Sequence, residues 1–182
     1  KETTSGMVEA LTDSGFNVVV AINADFFEAD GEIINNMISE GSFVKAVKFT
    51  DSPFNPFVNS QLAITSDNKL LMDKFVFNGQ LILPNGISES INRINSKADS
   101  NSVTLYNSFQ GEYTPTAEVN WFVSEIALES IRKNYDTLFC IVSDSFQHGG
   151  NKIINSDFIL SANSKYARYL EREIKTGDTL RI

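Results

Sequence analysis

A short segment near the amino end combines residue types that could act on a sugar or a phosphate ester. Asn23 and Asp25 are two positions apart, and Phe26 and Phe27 follow directly. In an extended chain, residues two apart project to the same side, so the amide and the carboxylate can face one ligand. The amide can hydrogen-bond to hydroxyl or phosphate oxygens, and the carboxylate can accept from hydroxyls or transfer a proton. The same four residues also fit an ordinary strand end with an Asx turn and two core aromatic rings.

The segment that must position these groups is apolar and rich in β-branched residues. Residues 16–22 predict a strand buried on both faces, which ends directly before Asn23. Such a strand fixes the backbone from which the side chains at its end project. Residues 6–11, with Thr4 and Ser5 as candidate caps, predict a short helix before that strand.

The rest of the chain predicts short strands joined by turns and a helix near its end. Ser66-Asp67-Asn68 and Asn78-Gly79 lie between apolar runs and predict hairpin turns. The isoleucines at 87, 91 and 94 fit a strand or irregular structure better than a helix. Further strands are predicted at residues 103–106, 119–124, 137–142, 152–154 and 158–160.

The predicted C-terminal helix begins after Ser161 or Asn163, either of which could cap it. Its buried face would consist of Tyr166, Tyr169, Leu170 and Ile174. We therefore predict an α+β fold that is mainly antiparallel β-sheet with a few short helices.

Composition limits the classes of function. The 182 residues are 42% hydrophobic and 21% charged, as expected of a folded domain. Fifteen basic against 23 acidic residues give a net charge of -8, and there is no basic cluster, which argues against a nucleic-acid partner. The apolar stretches are too short to span a bilayer. His148 is the only histidine and Cys140 the only cysteine, so we expect an exposed loop histidine, a buried core thiol and no site that needs two histidines. We predict no metal and no cofactor; Asp-rich turns could hold calcium, but they lack the EF-hand spacing.

Residues 19–27, Val-Val-Ala-Ile-Asn-Ala-Asp-Phe-Phe, resemble the AINGDFF or AINGGFF signature of the phosphodiester glycosidase family. This family is related to the domain of the lysosomal uncovering enzyme, which removes N-acetylglucosamine from a mannose-phosphate diester. Ala24 stands where the family usually has glycine. Weaker resemblances follow in the family's order at residues 38–43, 62–71, 91–95, 103–106, Thr114 and 158–182.

The resemblance implies a hydrolase that cleaves a glycosidic bond in a sugar-phosphate diester or a related glycoconjugate. Asn23 and Asp25 would be the catalytic residues, with Asn23 orienting the substrate and Asp25 binding a hydroxyl or moving a proton. Asn23, Phe26 and Phe27 would bind the substrate. The family's members are bacterial secreted or surface proteins, so that location is expected here.

The family's later His-Pro-Arg-Thr-Ala and Asp-Gly-Gly-Gly-Ser motifs have no match in this chain. Residues 1–182 would then be the N-terminal part of such a domain, its partner the remaining C-terminal part, and this part would be inactive alone. The alternative is a non-catalytic carbohydrate-binding or structural module of a bacterial surface protein.

Overall fold

The computed structural model describes residues 3–19, 21, 33, 35–47, 61–118, 120–153 and 156–182. Its internal contacts divide the chain into two units, Lys1–Asn36 and Met37–Ile182. The second unit contains all the strands defined below.

The first unit contains helix α1, Thr4–Asp13. The side chain of Thr3 accepts a hydrogen bond from the Gly6 amide, so the helix is confirmed but its cap lies before the predicted Thr4 or Ser5. Residues 16–19 form no strand, and Phe16 and Val19 are exposed. The predicted buried strand is therefore wrong over its described part, because an apolar run becomes a buried strand only where neighbouring strands pair with it.

The second unit is dominated by strands. Ten of the twelve described strands form one sheet in the order β1-β2-β7-β8-β11-β9-β10-β12-β5-β6, and β3 and β4 pair separately. Among the described pairs only β7 with β8 is parallel. The strands are β1 Met37–Ser39, β2 Ser42–Val47, β3 Gln61–Ile64, β4 Leu70–Asp73, β5 Gly79–Ile82, β6 Ser88–Ile91, β7 Arg93–Ile94, β8 Val103–Tyr106, β9 Val123–Asn134, β10 Thr137–Phe146, β11 Phe158–Asn163 and β12 Thr179–Arg181.

One of the two predicted hairpin turns is confirmed. Ser66-Asp67-Asn68 joins β3 to β4, and Asn68 takes the positive φ that asparagine tolerates. Gly79, in contrast, lies inside β5 and pairs with Ile91 of β6, so the turn predicted at Asn78-Gly79 is wrong. A Cβ on Gly79 would lie 2.6 Å from the Phe77 ring. Glycine is therefore needed at this position because a larger residue would collide with that ring.

The longest hairpin was only partly predicted. Strands β9 and β10 pair antiparallel over most of their length around a turn that contains Tyr135 at φ +53°. The second half of β9, residues 129–134, is exposed and polar, so its sequence lacks the apolar pattern of a buried strand. Lys152 was expected in a strand, but it forms only an isolated bridge with Tyr113.

One face of the central strands forms the main apolar core. Leu105, Leu160 and Ile126 lie opposite one another on β8, β11 and β9, and they belong to one apolar core. Helix α2, Lys165–Glu173, adds buried Ala167 and Leu170 to that core. Hydrophobic burial of this face against the helix stabilises the unit.

Helix α2 was predicted, but its capping residues were not. The residue at its N-cap is Ser164, whereas Ser161 and Asn163 lie in β11. With few helices and a mostly antiparallel sheet, the fold is β-rich and closer to an all-β architecture than to the α+β class. No helix in the described ranges has the length and hydrophobicity needed to cross a bilayer.

Candidate functional site

The residues that the sequence predicted as a site are Asn23, Asp25, Phe26 and Phe27. All four lie outside the described residues. Their catalytic and substrate-binding roles therefore stay predictions. Within the described residues, the unit Met37–Ile182 contains another group of polar and ionisable side chains that could bind a ligand or transfer a proton.

Four polar residues form a row across the face of the sheet opposite the apolar core. Arg93 of β7 pairs with Thr104 of β8, Thr104 with Ser161 of β11, and Ser161 with Glu125 of β9. Residues that are directly opposite on neighbouring strands project from the same face. We call these four residues the polar row. Thr104, Ser161 and Glu125 are all buried.

Glu125 is the residue of the row with the strongest potential for acid/base chemistry. None of its surface is exposed to solvent. Its Oε2 atom accepts hydrogen bonds from Thr114 Oγ1 and Asn151 Nδ2, each at 2.8 Å. Its Oε1 atom has no hydrogen-bond partner, although Ser161 lies directly opposite on β11. One carboxyl oxygen is thus held by two donors, and the other is buried without a hydrogen-bond partner. We call Glu125, Thr114 and Asn151 the Glu125 cluster.

Two loops form the donor side of the Glu125 cluster. Thr114 Oγ1 accepts from the amides of Gly150 and Asn151, at 3.0 and 2.9 Å, and the Thr114 amide donates to the Asn151 carbonyl at 2.9 Å. A Cβ on Gly149 would lie 2.7 Å from the Pro115 carbonyl oxygen, and Gly150 has φ +81°. The glycine pair therefore allows the two loops to approach closely enough to share the Thr114 hydroxyl.

Burial changes the protonation of this carboxyl. It raises the pKa of Glu125 above its ordinary value, and the hydrogen bonds from Asn151 and Thr114, together with the nearby Ser161 hydroxyl, which forms no hydrogen bond of normal geometry with Oε1, oppose that rise only in part. A carboxyl with a raised pKa exchanges protons nearer to neutral pH, which suits a general acid or base.

Thr104 Oγ1 is also buried and has no hydrogen-bond partner. It shares the polar row with Glu125 Oε1, and the two atoms lie on either side of Ser161 in the register. Unpaired buried polar atoms are costly and need a reason, such as a catalytic role or a bound group. The coincidence of two of them in one row marks this face as a candidate ligand site.

The far end of the polar row carries a positive charge. Arg93 forms an ion pair with the exposed Asp99, and a quarter of the Arg93 side chain is accessible. An accessible guanidinium is the group that best recognises phosphate or carboxylate oxygens.

Two other predicted residues are where the sequence placed them. His148 is exposed in the glycine-containing loop, where Nδ1 lies 3.0 Å from the Gly149 carbonyl oxygen. Cys140 is fully buried, and burial with the nearby charge of Asp157 raises the pKa of its thiol to about 11. The described residues contain no group of three or more acidic, histidine or cysteine side chains suited to a metal.

Glu125 was missed by the sequence-based prediction, because nothing local distinguishes it from the other 22 acidic residues. The family resemblance includes Thr114, and no local pattern distinguishes Asn151. The best available signal was the Gly149-Gly150 pair, which marks a close backbone approach.

Comparison with known proteins supports the fold alone. No model of a protein family matches the chain, and no curated protein does so. Among solved structures, the crystal structure of a hypothetical protein from Synechocystis matches 88% of this chain with a TM-score of 0.58 at 12% identity. The chain spans about a quarter of that protein's length, 27%. The chain is thus similar in fold to a larger protein whose description states no activity.

Proposed function

We propose that this chain is part of a hydrolase of the phosphodiester glycosidase type, which cleaves the glycosidic bond of a sugar-phosphate diester. The observation that carries the proposal is the polar row, in which a buried carboxyl with a raised pKa shares a sheet face with hydroxyls and an arginine. Hydrolysis of glycosides relies on carboxyl groups held in defined environments. Buried Tyr106 and Ile159 lie beside the row on the same face, so the polar residues are a local departure from an apolar surface.

The resemblance at residues 19–27 supports the choice of substrate. Within this proposal Asn23 orients the sugar phosphate, Asp25 binds a hydroxyl or moves a proton, and Phe26 and Phe27 contact the sugar. The phosphate is a good leaving group, so positioning and charge stabilisation carry much of the rate enhancement. The resemblance also supports a secreted or surface location.

Steady-state kinetics of the full-length protein test this proposal. The substrates are sugar-1-phosphate methyl diesters, and release of the free sugar is measured. Asn23→Ala and Asp25→Ala are expected to lower kcat/KM by about 100-fold or more, the usual worth of a catalytic proton transfer or a positioned donor. Asp136→Asn is the matched control, because that carboxyl lies at the exposed turn between β9 and β10 and is expected to leave kcat/KM unchanged.

Two results would contradict the proposal. A wild-type protein that releases no sugar from any diester would exclude the hydrolase. Unchanged turnover in Asn23→Ala and Asp25→Ala would exclude their catalytic roles. Binding of the diester without turnover would instead favour a non-catalytic carbohydrate-binding module.

A further inference from the structure

The two oxygens of the Glu125 carboxyl are in different environments. Thr114 and Asn151 both donate to Oε2, whereas Oε1 has no partner and is buried. Two donors at one oxygen fix the plane and the position of the carboxyl group. The unpartnered oxygen is therefore the one that can receive or release a proton.

The hydrogen bonds between the loop of Thr114 and the loop of Asn151 do not require a carboxyl group. The Thr114 hydroxyl already binds the amides of Gly150 and Asn151, and the Asn151 side chain also donates to the His148 carbonyl at 2.7 Å. A neutral glutamine at position 125 could accept the same two hydrogen bonds through its amide oxygen. Burying an ionisable group there costs free energy that a neutral group would not cost. The carboxyl is thus better explained by chemistry than by its structural contacts.

We propose that Glu125 is a general base of the hydrolytic reaction, acting through Oε1, and that Thr114 and Asn151 are the residues that position it. This inference rests on the proposed function. Oε1 takes a proton from a water molecule, whose oxygen forms a bond to the anomeric carbon of the sugar. The bond between that carbon and the phosphate oxygen breaks, and its electron pair leaves with the phosphate. The proton on Glu125 later returns to solvent.

The leaving group decides between a base and an acid. A phosphate oxygen leaves as a stable anion and gains little from protonation, whereas water is a poor nucleophile until it loses a proton. A carboxylate removes that proton better when its pKa approaches the working pH. Exclusion of bulk solvent from Glu125 provides such an environment.

The test compares Glu125→Gln with Glu129→Gln in the full-length protein, using a sugar-1-phosphate methyl diester as substrate. Glu129 lies on the same strand and is exposed. Glu125→Gln is expected to lower kcat by about 100-fold or more with KM changed less than about threefold, as is typical for loss of a general base. Glu129→Gln is expected to retain wild-type kcat. Thermal unfolding of each variant establishes that it is folded.

A pH profile gives a readout that a structural role would not change. The wild-type kcat is expected to rise with pH as Glu125 ionises, and this rise is expected to disappear from the residual activity of Glu125→Gln. Thr114→Val removes a donor that favours the charged carboxylate, so the rise is expected to move to higher pH, and Thr114→Ser is expected to restore it.

The outcomes separate the inference from the proposed function. Absence of diester hydrolysis by the wild-type protein would overturn both. Hydrolysis by the wild type together with a kcat of Glu125→Gln within about threefold of it would overturn the inference alone. An unmoved rise in kcat for Thr114→Val would overturn the positioning role of Thr114.

Discussion

Replacing Glu125 by glutamine should change how the stability of the protein depends on pH. In the folded chain, burial raises the pKa of this carboxyl above its value in the unfolded chain. Between these two pKa values the folded state holds a proton that the unfolded state has released. The free energy of unfolding contributed by Glu125 is therefore fully present below the unfolded pKa, and it is lost as pH rises through the folded pKa.

The size of this change in the free energy of unfolding is set by the binding of one proton. The slope of this loss cannot exceed about 1.4 kcal/mol per pH unit, because a single group is involved. Glutamine keeps an acceptor for Thr114 and Asn151 and never ionises. We therefore expect wild type and Glu125→Gln to be similar in stability at about pH 4, near the ordinary pKa of a glutamate. At neutral pH the variant should be the more stable protein, by about 1.4 kcal/mol for each unit by which the pKa is raised.

Urea unfolding at a series of pH values measures this difference directly. Trp121 is the single tryptophan of the chain and provides a fluorescence signal. Glu129→Gln, an exposed change on the same strand, is the control and should follow the wild-type curve. Parallel curves for wild type and Glu125→Gln across the whole pH range would contradict this expectation, because they would show that burial does not change the protonation of Glu125.

Three further experiments test the packing of the unit Met37–Ile182. Gly149→Ala should lower the free energy of unfolding by about 1–3 kcal/mol in urea, because its Cβ would meet the Pro115 carbonyl; an unchanged value would show that the loops yield freely. Leu170→Ala should cost about 2–5 kcal/mol by the same measurement, since the side chain is fully buried under the sheet, and a cost below 1 kcal/mol would contradict that packing. Cys140, with a thiol pKa of about 11, should react with a thiol reagent at about pH 8 only after unfolding, and rapid reaction of the folded protein would contradict its burial.

Local sequence chemistry predicted the elements that local interactions determine. The β3–β4 turn contains Asn68 at positive φ, which its sequence indicates directly. Helix α2 has an apolar stripe in its sequence, and residues of that stripe pack into the core. Gly79 shows the limit of this reasoning, because the same residue type that marks a turn also marks a close contact within a strand.

The candidate site depends on long-range pairing that no local pattern encodes. Arg93, Thr104, Ser161 and Glu125 meet because β7, β8, β11 and β9 are neighbours in the sheet, an order that departs from the order along the chain. Threonine and serine are residue types that usually lie at exposed positions, yet Thr104 and Ser161 are both buried. Their burial follows from the register, and the register could not be read from separate strands.

In the proposed reaction, water attacks the sugar carbon of a sugar-phosphate diester. The most direct test is hydrolysis by the full-length protein in ¹⁸O-labelled water, followed by phosphorus NMR of the released phosphate monoester and mass spectrometry of the sugar. Attack at the sugar carbon places the label in the sugar and leaves the phosphate unlabelled. Label in the phosphate, or an intact diester after long incubation with the folded protein, would contradict it.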